Sequence, residues 1–124
     1  MQQLQFEVSW DKGLATQDRC EIEKIFHETN DCNADILCSP IREAINHKQA
    51  LLITVLVHNF TSRPLTFNNR RIVYRIQGKV IADQTFTLPT LTIPSEVSMP
   101  WTFIFSNNSY LPQASLGNGV LEIR

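Results

Sequence analysis

Cys20, His27, Cys32, Cys38 and His47 are the residue types that bind zinc, which favours thiolate and imidazole in tetrahedral sets. Six, four and five residues separate the first four, so no C-x-x-C knuckle is formed. A metal- or ligand-binding role for the Cys20–His47 region is therefore the alternative to three free thiols. A nucleophilic Cys32 or Cys38 would need a neighbouring base and a third orienting group, and no local signature supplies them. Paired carboxylates are few. Glu21 and Glu23 fall on different faces of a helix, and Asp31 and Asp35 lie in a loop-like stretch. Glycoside chemistry needs two carboxylates across one cleft, so these read as solvated charge. Neither a phosphate cradle nor a nucleophile paired with its base is present, and the expectation is a protein that is not an enzyme and needs no cofactor.

The one basic concentration is Arg63, Arg70, Arg71, Arg75 and Lys79. Arginine interleaved with Phe67 and Tyr74 can stack single-stranded nucleic acid on a β-surface. Net charge is −1, from 11 basic and 12 acidic residues, so no strong field recruits nucleic acid. The alternatives are a solubilising hairpin face or a docking patch for an acidic protein partner, and these five are the candidate partner-binding residues. Trp10 and Trp101 are expected in the core, where tryptophans among alternating strand aromatics fill the space between sheets. His58, near a strand end, is expected to make a structural hydrogen bond.

A chain of 124 residues is expected to form a single domain over 1–124, large enough to fold without a disulfide or metal. The start, MQQLQFEVSWDKG, lacks a basic opening, an apolar run and a small-residue cleavage site, so a cytoplasmic location is expected. The longest apolar run is about seven residues, against the roughly 20 that span a bilayer. Three cysteines are an odd number, which favours reduced thiols. Two sequons, at Asn59 and Asn107, read as accidental.

Stretches of period two must carry these side chains. Leu4, Phe6, Val8 and Trp10 alternate with polar residues, predicting a half-buried strand over 4–10. Residues 15–29 predict the one helix, with Thr16 as N-cap, Asp18 in the first turn and an apolar stripe of Ile22, Ile25 and Phe26. Leu14 is a candidate staple and Asn30 a left-handed stop. Residues 30–49 read as extended edge, with Pro40 interrupting a ladder. Leu51–Val57 is apolar on both faces, which requires cover on both. Leu65–Phe67 and Ile72–Ile76 follow, then a hairpin at Gly78, a return through Val80–Ala82, Phe86 and Leu88, and a short span between Pro89 and Pro94. Trp101, Phe103 and Phe105 share a strand face, and Val120–Ile123 closes the sheet. Seven or eight short strands with regular turns predict an all-β, immunoglobulin-like antiparallel sandwich with one helix packed outside.

Three phrases give the chain a likeness to a known family. Leu52–Phe60 is an apolar strand ending in Asn59. Gly78–Phe86 resembles a Gly-x-x-Ile-Ala-x-x-x-Phe hairpin. Leu91-Thr92-Ile93-Pro94 is followed by Pro100-Trp101-Thr102-Phe103-Ile104-Phe105. Their order over about residues 4–123 resembles the SLAP domain of Firmicutes, named for an S-layer assembly protein linked to the accessory Sec export system. The resemblance implies a non-catalytic interaction module that assists export or assembly of envelope proteins in a Gram-positive bacterium. It supplies no catalytic residues. Its partners would be export machinery or envelope precursors, met at the edge near residues 36–46 or at the Arg70–Lys79 hairpin. A homodimer through an edge strand is the further expectation.

Overall fold

The computed structural model describes residues 2–7, 13, 15–28, 35–106, 108–110 and 119–124. Seven strands and one helix are described: β1 (Gln3–Leu4), α1 (Thr16–Glu28), β2 (Ile36–Ile45), β3 (Leu51–Asn59), β4 (Leu65–Ile76), β5 (Lys79–Ile93), β6 (Val97–Phe105) and β7 (Gly119–Ile123). They form a four-stranded sheet of order β1-β6-β3-β2 and a three-stranded sheet of order β5-β4-β7. The mostly β, two-sheet architecture with one helix is as the sequence predicts.

Strand β3 explains the doubly apolar run. It is central, flanked by β2 and β6 along its whole length. Leu51, Ile53, Val55 and Val57 face the second sheet and are almost wholly buried. Leu56 and His58 turn to the opposite face, and both are fully buried. Helix α1 lies on that outer side, inserting Ile22, which is 2% exposed. Between the sheets Phe103 of β6 meets Phe67 of β4 and Phe86 of β5, with ring centroids 5.8 and 5.5 Å apart. Phe86 also stands edge-on to Phe105 at 5.3 Å. Each such pair contributes about 0.5–1.5 kcal/mol beyond simple burial.

The β4–β5 hairpin closes through Gln77 (φ 52°) and Gly78 (φ 80°), both left-handed, between the paired residues Ile76 and Lys79. That is a two-residue type I′ loop, and Gly78 meets its backbone requirement. Trp101 is half-buried and packs against the core cluster. Trp10, Leu14 and Asn30 lie outside the described residues.

Several expectations are corrected. Of the strand expected over 4–10, Leu4 belongs to the short strand Gln3–Leu4, paired in parallel with Val97–Ser98, residues 5–7 are not strand, and residues 8–10 lie outside the described residues. Phe6 is instead capped by the Arg19 guanidinium, 4.5 Å from the ring centroid. Thr16 is not the N-cap. The Ala15 carbonyl accepts from the Arg19 N–H at 3.0 Å, so Ala15 holds the cap position and Thr16 begins the helix. Pro40 does not end its ladder. The strand shifts register between Pro40 and Arg42 and continues, which an edge strand tolerates because one side needs no N–H partner. For the same reason the span between Pro89 and Pro94 belongs to edge strand β5, where Thr92 and Ile93 pair with Thr66 and Leu65. The two segments Leu65–Phe67 and Ile72–Ile76 are one bulged strand.

Candidate functional site

Strands β2 and β7 end their respective sheets and face one another across one side of the sandwich. Between them opens a cavity of about 380 Å3. Ile53, Val55 and Leu121 form its apolar floor and Pro40 its rim. Glu43 projects into the same space, because it pairs with inward-facing Ile53. Its Oε2 accepts a hydrogen bond from the Tyr74 hydroxyl on β4, which bridges the two sheets. Burial, then the bond to Glu43, pushes the Tyr74 hydroxyl well above the usual phenol range. Gly119 opens β7 directly against the Tyr74 ring, where a Cβ would overlap the phenol. A neutral phenol held on a half-buried carboxylate is thus built into this opening.

The five basic residues do not form one patch. Arg63 is exposed in the β3–β4 connection and Lys79 is exposed at the hairpin. Strand β4 separates them, on the order of 40 Å at about 3.3 Å per residue. Arg70 turns back and donates from Nε and Nη2 to the Thr66 carbonyl, at 3.3 and 3.1 Å. Arg71 makes a forked pair with Asp83, at 2.9 and 2.5 Å. That pair holds the Asp83 carboxyl below its ordinary value and raises the guanidinium. Arg75 reaches Glu122 at 3.4 Å, and Arg124 meets the same carboxylate at 2.7 Å. These bonds lower the Glu122 carboxyl. Between the two acids lies Val73, only 1% exposed, in register with both Asp83 and Glu122. The arginine stems roof an apolar side chain while their heads are neutralised. Of the five, Arg63, Arg70 and Lys79 carry charge that no ion pair engages among the described residues, and of these three Arg70 is held by a backbone carbonyl.

His58 is wholly buried on the outer face of the four-stranded sheet. Its Nε2 lies 2.9 Å from the Ser39 hydroxyl and its Nδ1 2.6 Å from that of Ser98. Gln2 donates to Ser98 Oγ at 3.1 Å and to the Asn59 carbonyl at 3.2 Å. Phe60 stacks parallel to the imidazole at 5.5 Å. Burial brings the His58 pKa down to about 4. A neutral ring donates from one nitrogen and accepts at the other, and the rotatable serine hydroxyls match either assignment. Serine beside histidine is the pairing of a nucleophile and its base. Here neither ring nitrogen is left for a substrate, and the group cross-links β2, β3 and β6.

Asn59 is equally buried. Its amide donates to the carbonyls of Arg63, Ile93 and Pro94, at 2.8, 3.0 and 3.2 Å. Its oxygen accepts from the Thr61 N–H and hydroxyl, at 3.1 and 2.6 Å. The sequon nitrogen is therefore committed in the folded chain, and Asn107 lies outside the described residues. A family model described as the SLAP domain matches residues 4–117. The chain belongs to the SLAP domain family. No curated protein and no solved structure matches it.

In this SLAP domain the three phrases that carry the likeness serve the fold. The Leu52–Phe60 phrase is the central strand and its asparagine anchor, Gly78–Phe86 is the hairpin return, and Pro100–Phe105 supplies the core aromatics. The proposed zinc donors are set apart. Cys20 is exposed on α1, Cys38 faces the core, and His47 lies in the β2–β3 turn. Among the described residues no three histidine, cysteine or acidic side chains gather around a metal-sized site. Cys32 lies outside them. Sequence reasoning did not single out Glu43, Gly119, Asp83 or Glu122. The isolated inward acid in an otherwise extended edge segment was the one available sign of Glu43.

Proposed function

We propose that this SLAP domain is a non-catalytic protein-interaction module serving the export or assembly of cell-envelope proteins in a Gram-positive bacterium. Family membership carries the reading, and the free edge of β2 supports the binding mode. That edge spans ten residues and has β3 as its only strand partner among the described residues. An extended partner segment gains main-chain hydrogen bonds by adding there, while alternate side chains provide selectivity. No described helix is long and apolar enough to cross a membrane, so work at a membrane-bound export machine would proceed through a protein contact. Cytoplasmic residence at the periphery of that machine follows from this reading.

The test is affinity capture from gently lysed native cells at low salt, read by mass spectrometry. Two variants serve as controls. Ile45→Pro removes an N–H that points away from β3, because the neighbouring Asn46 N–H already bonds the Ala50 carbonyl and bonded pairs alternate along an antiparallel ladder. The paired change Arg63→Glu with Lys79→Glu reverses one unpaired cation at each end of β4. Export-machinery or envelope-precursor proteins lost with Ile45→Pro support the edge reading. The same proteins lost with the charge change move the contact to the basic ends of β4. Failure to enrich either class overturns the assembly role.

A further inference from the structure

The cavity between β2 and β7 has features that a mere seam between edge strands does not require. One Glu43 oxygen is engaged by Tyr74, whereas Oε1 makes no hydrogen bond among the described residues. A half-buried carboxylate above an apolar floor attracts a group combining an aliphatic stem with a cationic head. We propose that this cavity seats a lysine or arginine side chain of a partner polypeptide, paired in extended form along the free edge of β2. The proposal rests on the edge reading and adds to it the chemistry of the bound segment.

Three observations select this occupant. The volume of about 380 Å3 lies near the low end of ligand pockets, about 300–1,000 Å3, which suits one long side chain and its surroundings. A segment added to β2 would direct alternate side chains toward the inner face, opposite Glu43, where opposite charges stabilise a cross-strand pair. A second copy paired through β2 about Glu43 would set carboxylate against carboxylate, so the same residue disfavours self-association. Residues 111–118, which precede Gly119 in the sequence, include no lysine or arginine that could supply the head group. Arg42, the neighbouring cation on β2, also lines the cavity, but its guanidinium is engaged by Asp18 of α1 at 3.2 Å rather than by Glu43.

The experiment titrates isotopically labelled protein with pools of acetylated, amidated pentapeptides into the millimolar range. Each pool has a fixed central lysine, arginine, norleucine or glutamate and four randomised positions. Amide shifts at Glu43, Tyr74 and Leu121 are followed. The lysine and arginine pools should bind at least about tenfold more tightly than the norleucine pool, and the glutamate pool should not bind. Glu43→Gln keeps an acceptor for Tyr74 and should abolish that preference. Added salt should weaken only the lysine and arginine pools, a readout independent of how the variant folds. Equal binding of all pools along β2 would leave the edge reading standing and overturn the cation site. Shifts away from β2 and β7, or none from any pool, would overturn both.

Discussion

Acidification should destabilise this domain, because His58 must take up a proton in a buried site enclosed by β2, β3, β6 and Phe60. The folded pKa is about 4 against an ordinary 6.5, and burial is the cause. Between those values the unfolded chain binds more protons than the folded one, so stability rises with pH. The contribution is complete above 6.5, is lost as pH falls, and changes no further below about 4. At about 1.36 kcal/mol per unit the full difference is about 3 kcal/mol. Reorientation of the Ser39 and Ser98 hydroxyls toward a charged ring brings the expected loss nearer to about 2 kcal/mol. The Asp83 and Glu122 carboxyls, with ordinary values of 3.8 and 4.5 and both held lower, contribute stability that fades only in stronger acid. Urea unfolding followed by tryptophan fluorescence from neutrality to about pH 4.5 isolates the histidine. His58→Asn should be less stable at neutral pH and nearly flat over that window. If the wild type and the variant lose stability in parallel, His58 is not the titrating group and the reasoning fails.

Asn59→Ala should cost about 2–4 kcal/mol in urea unfolding, since three carbonyls and the Thr61 N–H lose a buried partner together. Gly119→Ala should cost about 1–3 kcal/mol by forcing the Tyr74 ring off Glu43, visible as a lower thermal midpoint. Under native conditions a maleimide should label exposed Cys20 quickly. Cys38, buried and with its pKa raised to about 12, should react only on unfolding, as a mass shift in denaturant would show. Rapid native labelling of Cys38 would contradict its place in the core.

Periodicity disclosed most of the sandwich, because residues covered on both sides or on one must show it in their side-chain pattern. Leu51–Val57 required two covers, and the structure provides the second sheet and Ile22 of the helix. The same rule misled at residues 5–7. Alternation marks a surface that can be half-buried, but does not reveal whether a neighbouring strand offers an edge of matching length. Phe6 found the Arg19 guanidinium instead. Pro40 and Pro89 looked like interruptions because a sequence does not say which strand sits at an edge. The site was less visible still. Glu43, Tyr74 and Gly119 come from three strands, and no local spacing records a contact made across a sandwich. Arg63, Arg70, Arg71, Arg75 and Lys79 looked like one patch because they are close in sequence. The strand spreads them out, and β5 and β7 bring up Asp83 and Glu122 from outside the run.

The reach of Asn59 has a kinetic consequence. Its amide ties the end of β3 to the following turn and to the end of β5, 34 and 35 residues onward. Those bonds can close only after the chain has crossed to the second sheet, made the β4–β5 hairpin and returned. Loop-closure entropy delays such distant contacts relative to the local hairpin. Asn59 therefore acts late, as a fastening applied once the two sheets have met. Interactions absent from the folding barrier govern the rate of escape from the native state. This residue sets how long the domain stays folded more than how quickly it gets there.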